Sequence, residues 1–466
     1  MSANPEFLRN LRLQFSLQRL LIAPFAIGAI VLLAWIGTDH DAKTLEQVTR
    51  FLFSVIVLLW GTRRAADALA EEVSGGTWDS QRMSALGAWQ MAWGKFFGGT
   101  AYVWYCGALC LGAWLFASLA LQAPEAAIRD AGYMVGDGLF GQMVAFAAGL
   151  MFLRKQPLSR RLPITFCQIL GLGAGMLMQN EPGRIAERWF DSEPVLWYGL
   201  PLEPGLFHLL SLAAFAAWAM LGFYRLMRAE LQFRTWPWAW LAFVAFLMVY
   251  GEGFLHELLT ASPGAGLTLL VPLAIGVALV YAALFGEAKD IVRYRWTLRS
   301  LAGGDWRRSL ALLPLWIPTY LVVVATAVFV ALRIEPGPLA GAFETDLRDI
   351  GILPTPAVFV ALLLFLARDI ALVLALNFGR RARRADLAAF IYLVVLYGPL
   401  PGIVVAVGLR PLATIFYPAS MGSALLTVGP PAIEAAVMIG LLAVRWRAAN
   451  RSIRPPATEQ QAAATS

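Results

Sequence analysis

The residues of this chain that could do chemistry are the ionisable side chains set inside apolar runs. Arg368 and Asp369 stand side by side within the run 355–379, and Glu434 stands within 427–444. A charge kept in hydrocarbon is costly, so it pairs, relays a proton or holds a solute. Two readings of Arg368-Asp369 stay open. One is a gating or substrate role. The other is a span ending at Leu366, with an interfacial helix over 370–377 and Arg380, Arg381, Arg383 and Arg384 on lipid headgroups. Glu434 follows Pro430-Pro431, a pair suited to a first helical turn, so it could simply favour that helix's positive end. Asp137, near the start of another apolar run, reads the same way.

Residues for enzymatic chemistry are thin. His256-Glu257 begins like a zinc HExxH, but position 260 is Thr. Glu252 and His256 are four apart and read as solvated polar residues that could pair. Gly87 to Gly94-Lys95 has the wrong spacing for a phosphate-binding loop, and Phe96 stands where Ser or Thr is needed. ATP, if used, is then bound by another chain. Cys106, Cys110 and Cys167 lie in apolar runs with no CxxC spacing and read as small buried hydrophobes. The expectation is no catalytic residue, no cofactor and no metal on this chain.

The elements that must position these residues are membrane helices. Of 466 residues, 59% are hydrophobic and only 14% charged, against about 25% charged in soluble domains; the mean hydropathy is +0.65. A water-soluble globule would lack the polar skin to cover this much apolar surface. Apolar runs that suit bilayer-crossing helices occur at 20–36, 49–62, 96–121, 133–153, 162–178, 207–223, 237–251, 266–286, 309–332, 350–367, 387–408 and 427–444, the second and the tenth being short or Pro-interrupted. The fold expected is an all-α polytopic transmembrane bundle of about 12 spans. Placing the N-terminus in the cytoplasm puts 29 of the 37 Lys and Arg in cytoplasmic segments, which obeys the positive-inside rule. Both termini are then cytoplasmic, and the net charge of +7 reads as topology and not as a nucleic-acid surface. Basic residues are mostly Arg, with four Lys, a composition that hints at a GC-rich bacterial genome, and the location expected is the bacterial inner membrane.

The domains expected are an amphipathic cytoplasmic lead over 1–19, a six-helix unit over 20–236 with a cytoplasmic loop at 63–95, a second six-helix unit over 237–446, and a disordered tail over 447–466. In the outer loop 179–206, Trp189, Phe190, Trp197 and Tyr198 suit the headgroup layer, and a short interfacial or re-entrant helix is expected there. Gly171, Gly173 and Gly175 form a small-residue face for close helix packing.

The most informative stretch is the loop 63–95. Helix formers run through Glu72, Gly75-Gly76 breaks them, and Thr77 is placed to cap a short helix whose positive end Asp79 would favour. A second break near Gly87 precedes the helix of Trp89, Met91 and Trp93, which climbs into the next span. The pattern predicts helix, turn, short flat helix and return: an amphipathic platform on the membrane face.

Glu72, then Gly76-Thr77, then Trp89, then Gly94-Lys95 resembles the intracellular loop of ABC-2 type transporter permeases. The resemblance is specific over 61–97. The amphipathic lead 7–19 is similar to the family's elbow helix, and nothing in 237–466 matches as well. The resemblance implies a membrane permease subunit, an exporter, energised by a separate cytoplasmic ABC ATPase subunit. It implies that the loop docks on that ATPase, with Glu72, Gly76, Thr77, Trp78 and Asp79 at or near the docking site and Gly94 and Lys95 setting the return into the third span. The family's common unit has six spans and works as a pair, so a homodimer, a second permease chain or a diverged repeat in 237–446 would complete the path. Membrane lipid is the other partner. Two alternatives are an ion-gradient-driven secondary transporter, which would rely on Asp369 or Glu434, and a polytopic glycosyltransferase or polymerase.

Overall fold

The computed structural model describes residues 4–84, 86–155, 163–180, 194–260, 269–333, 355–379, 384–409, 412, 415–420 and 423–451. Helix starts follow the caps written in the sequence. Asn4 accepts from the Glu6 and Phe7 amides ahead of Pro5 and opens α1 (Pro5–Gln14). Ser16 accepts from the Arg19 amide and opens α2 (Leu17–Gly37). Asp41 does the same, through Lys43 and Thr44, for α3 (Ala42–Ser74). Each satisfies amide donors that a first turn leaves without a helical partner.

α3 contains a π-helical segment, Val55–Trp60. Such a segment widens the helix and frees carbonyls from the regular ladder. Gln142 donates to the Val57 carbonyl at 2.9 Å and Gln168 to the Leu59 carbonyl at 2.9 Å. Gly75 and Gly76, the latter at φ +71°, end the helix. A five-residue helix, α4 (Trp78–Arg82), and Gly87 lead into α5 (Ala88–Leu119). Thr77 does not cap α4; its hydroxyl donates to the Glu72 carbonyl at 3.3 Å. α6 (Pro124–Lys155), α7 (Ile164–Gln179) and α8 (Pro204–Glu230) complete the first unit, which comprises 1–195 and 200–235.

Two large apolar clusters hold this unit, beside a small one of Ala66, Ala148 and Cys167. One joins Leu69, Trp78, Met91, Phe96, Phe146, Phe223 and their neighbours. The other joins Phe53, Val57, Val103, Cys110 and Trp114. Gly141 and Gly171 bring α6 and α7 together so closely that a Cβ at Gly171 would lie 2.5 Å from the Gly141 carbonyl oxygen. Gly175 packs on Leu58, whereas Gly173 faces open space, so two of the three expected glycines make the packing face. Asp137 lies well inside α6 and not at its positive end, and it is buried 3.8 Å from His208.

The second unit comprises Leu196–Gly199 and 236–466. The aromatic pair Trp197-Tyr198 sits not in a helix but in a hairpin of β1 (Val195–Trp197) and β2 (Leu200–Leu202). Trp197 donates to the Tyr250 carbonyl, and the Tyr198 amide to the Gly253 carbonyl. These residues lie on α9 (Trp238–Thr260), where Glu252 accepts from Tyr198 at 3.4 Å. Trp189 and Phe190 lie outside the described residues.

α10 (Leu270–Gly286) is followed, at a bend of 115°, by α11 (Ile291–Ala302). Then come α12 (Trp306–Leu312), α13 (Trp316–Arg333), α14 (Pro356–Asn377), α15 (Ala385–Tyr397), α16 (Pro399–Ala406) and α17 (Ala424–Arg451). Leu273, Val280, Val323, Ala327, Phe359, Val373 and Leu393 form part of their shared core. α14 is continuous, so the expected stop at Leu366 and separate helix over 370–377 do not occur. α17 continues to Arg451 where a tail was expected from 447; residues 452–466 lie outside the described residues.

The protein is a multi-pass, all-α membrane protein. Among the described residues, nine helices are long and apolar enough to cross a membrane, or ten if α10 with α11 counts as one bent span. α7 and α9 are shorter apolar helices. Each of the twelve apolar runs overlaps helix where it is described, but 309–332 is divided between α12 and α13 and 387–408 between α15 and α16, and α7, α9 and α10 lie outside the nine. Large apolar side chains face outward, among them Phe25 at 81% and Leu332 at 80% exposure. Hydrocarbon is a solvent in which that arrangement costs nothing.

Candidate functional site

In the first unit, a buried lysine gathers four chain segments. Lys95 is 1% exposed and stands about two turns into α5. Its ammonium donates to Glu6 at 2.8 Å on α1, to Glu72 near the end of α3, and to Gln81 at 2.5 Å on α4. It also lies 5.3 Å from the centre of the Trp78 ring. An ammonium has three protons to donate, and here all three are used. Arg9 closes the group from the rim, 3.3 Å from Glu6 and 3.1 Å from Glu72. Two cations and two carboxylates make a neutral quartet, which is what allows it to be buried.

The approach of α1 depends on glycine. A Cβ at Gly94 would lie 2.8 Å from the Glu6 Cβ and 2.9 Å from the Phe7 amide nitrogen, and one at Gly98 would lie 2.6 Å from the Asn10 Cβ. Polar side chains then tie the two helices. Asn4 donates to the Gln90 carbonyl at 2.7 Å and Gln14 to the Gly99 carbonyl at 2.6 Å. Burial disfavours the charged form of Glu6, but Lys95 and Arg9, with Asn10 donating, outweigh it and hold its carboxyl below the usual range.

The turn above this clamp divides by exposure. Glu72, Trp78, Gly94 and Lys95 point inward, and the Trp78 indole donates to Glu230 of α8 at 3.3 Å. Gly76, Thr77 and Asp79 are exposed, together with Ser80 and Met83, which is 83% exposed. Arg82 lies 3.6 Å from Asp79 and 3.7 Å from Glu230. Beside it is an open cavity of about 270 Å³ lined by Asp79, Arg82, Met83, Leu231 and Gln232. Of the seven residues picked out from the sequence in this loop, four are therefore fasteners and three are surface. Glu6, Arg9, Gln81 and Glu230 were missed. Only the first two left a trace, as opposite charges three apart on an amphipathic lead.

In the second unit, Arg368, Asp369 and Glu434 meet. Arg368 binds Asp369 at 2.9 Å and Glu434 at 2.5 Å. Tyr281 of α10 and Tyr397 of α15 donate to the Asp369 carboxylate at 2.5 and 2.6 Å, and Arg368 donates to the Tyr397 oxygen at 2.9 Å. Asp369 is fully buried, Arg368 is 4% exposed, and the Glu434 side chain keeps 26% exposure. Four helices, α10, α14, α15 and α17, thus converge on one guanidinium–carboxylate pair. The tyrosines gave no signal in the sequence, because a Tyr in an apolar run fits a membrane helix without a polar task.

No known family model matches the chain, and no curated protein or solved structure is similar to it.

Proposed function

We propose that the chain is the membrane-spanning subunit of an ATP-driven transporter of ABC-2 type, an exporter in a bacterial cytoplasmic membrane, energised by a separate ATPase subunit. The proposed topology has twelve crossings with both termini in the cytoplasm and the 63–95 loop on the ATPase side. The observation that carries this reading is the Lys95 clamp beneath an exposed short helix. A push on Gly76, Thr77, Asp79 or Met83 meets a turn whose underside is fastened to α1, α3, α5 and α8. The turn therefore cannot absorb the push by bending alone, and packed helices transmit it as rigid bodies. Recovery of the full chain from its native membrane with an ATP-hydrolysing polypeptide is the expected result. Asp79→Arg with Met83→Glu, both exposed, should abolish that recovery while leaving the thermal unfolding temperature unchanged. Equal recovery with the double variant, or no ATPase with the natural chain, refutes the proposal.

A second reading, transport driven by an ion gradient, is favoured by the Arg368–Asp369–Glu434 cluster within membrane helices. It predicts proton movement into proteoliposomes that Asp369→Asn abolishes; proton movement unaffected by the change removes it.

A further inference from the structure

The segment from Glu287 to Leu315 sorts its charges in a way that neither transport reading uses. Lys289 and Arg293 turn inward. Lys289 pairs with Asp386 at 2.8 Å. Arg293 pairs with Glu287 at 3.3 Å and donates to the Leu312 and Leu313 carbonyls. Glu287 also accepts from the Leu315 amide at 2.6 Å, and Trp316 donates to the Tyr294 hydroxyl at 2.9 Å. Thr297 donates to the Leu312 carbonyl, and Ser300 and Ser309 are buried. The α11–α12 hairpin is thereby fixed to the ends of α10 and α13.

Its other face is unlike a water-facing one. Arg295, Arg299, Arg307 and Arg308 have no carboxylate partner among the described residues. Between them stand Val292, Trp296, Leu298, Leu301 and Trp306, all exposed, with Trp306 at 65%. Arg308 lies over the Trp296 ring at 4.9 Å. Guanidinium groups alone would suit water. Two indoles and two leucines beside them would not, but such a face suits the boundary between headgroups and acyl chains. The bend supplies the orientation. A helix that leaves a membrane span at 115° runs within roughly 25° of the bilayer plane when the span stands near the normal.

We propose that the α11–α12 face is a binding surface for anionic phospholipid, with the four arginines on phosphate and Trp296, Leu298, Leu301 and Trp306 in the acyl boundary. Guanidinium matches phosphate in a two-pronged geometry, and attraction to anionic lipid adds to the burial of the apolar side chains. The inference rests on the chain being a membrane protein and not on the ATPase partner, so it stands or falls apart from that reading.

The full chain in detergent is titrated with phosphatidylglycerol or phosphatidylcholine, and bound lipids are counted by native mass spectrometry. Preferential retention of phosphatidylglycerol is expected, weakening about fivefold for each arginine replaced in the series to R295Q/R299Q/R307Q/R308Q. A second measurement places a fluorophore on Ala302→Cys, an exposed position in a chain whose natural cysteines are buried. In nanodiscs containing phosphatidylglycerol the fluorophore should be shielded from acrylamide, and in pure phosphatidylcholine or in the four-arginine variant it should not. Full phosphatidylglycerol preference in the variant, quenching that ignores lipid charge, or preferred binding of an RNA oligonucleotide would each overturn the proposal.

Discussion

Replacing Lys95 with Met tests the clamp most directly. The change removes one cation from a neutral quartet and leaves Glu6 and Glu72, 5% and 8% exposed, facing each other with Arg9 alone. Breaking a buried ion pair by deleting one partner costs about 3–5 kcal/mol. The Arg9 side chain is 43% exposed, so its attraction is screened and recovers no more than about 1 kcal/mol. It can still swing inward, which puts the expected cost near the lower end, about 3 kcal/mol. The cost falls first on α1, because the docking of α1 on α5 needs the Glu6–Lys95 contact as well as the two glycines. At 1.36 kcal/mol per factor of ten, exchange of α1 backbone amides should speed up about a hundredfold in the folded protein. Hydrogen exchange read by mass spectrometry measures this on peptides covering 5–14, with peptides from α13 as the internal control. Gly94→Val should give a similar local effect by another route, since its side chain would meet the Glu6 Cβ and the Phe7 amide nitrogen. Unchanged α1 protection in both variants would show that the quartet and the glycine groove do not hold α1, and the proposal built on them would fail.

Three further outcomes follow from the same contacts. Glu6 is held below its ordinary value of 4.5, so its contribution is fully present above that value and is lost as pH falls through the lower folded-state value; α1 protection, corrected for intrinsic exchange, should be flat at neutral pH and drop only on the acid side of 4.5. Arg368→Met should destabilise the second unit by about 3–5 kcal/mol by leaving two carboxylates without a cation, whereas Glu434→Gln, at a partly exposed position that keeps a polar partner for Arg368, should cost about 1 kcal/mol; equal losses in thermal unfolding would contradict the ranking. Gly171→Val should cost about 1–3 kcal/mol by forcing α6 and α7 apart, and an unfolding temperature equal to that of the natural chain would show that the helices do not rely on this contact.

What could be read from the sequence was whatever depends on one residue's affinity for its solvent. Apolar runs mark helices because a buried backbone must satisfy itself, and the described part of every run is largely helical, although 309–332 and 387–408 are each divided between two helices. Gly75-Gly76 and Gly87 mark breaks because glycine tolerates what other residues resist, as Gly76 does at φ +71°. What could not be read depends on partners brought together by packing. Thr77 had a good capping sequence, but its hydroxyl is taken by the Glu72 carbonyl. Glu72 and Lys95 stood out as a pattern with no hint that they touch each other, and the role of Glu6 became visible only once α1 was laid on α5. Arg368-Asp369 could be taken for the end of a span because hydropathy sums each charge as if alone. The pair largely cancels itself, two tyrosines satisfy its remaining acceptors, and the helix runs straight through it.

The two ionic groups differ in a way that bears on their roles. In the first unit the quartet is neutral, with its most buried cation donating three times. Nothing in it calls for a further ion, and it suits a fixed fastening of α1, α3 and α4 onto α5. In the second unit one guanidinium serves two carboxylates. Asp369 already receives from Arg368, Tyr281 and Tyr397 and is fully buried, whereas Glu434 has the guanidinium and some exposure. Of all the contacts in the cluster, Arg368–Glu434 is the one that can open without stranding a fully buried carboxylate, because the Glu434 side chain keeps 26% exposure and Asp369 keeps none. If the second unit moves, α17 should therefore separate from α14 at Glu434 while Asp369 keeps its tyrosines. A distance measured between spin labels on exposed positions of those two helices should change with Glu434→Gln and stay fixed with Tyr281→Phe. The reverse pattern would place the moving contact on α10 instead.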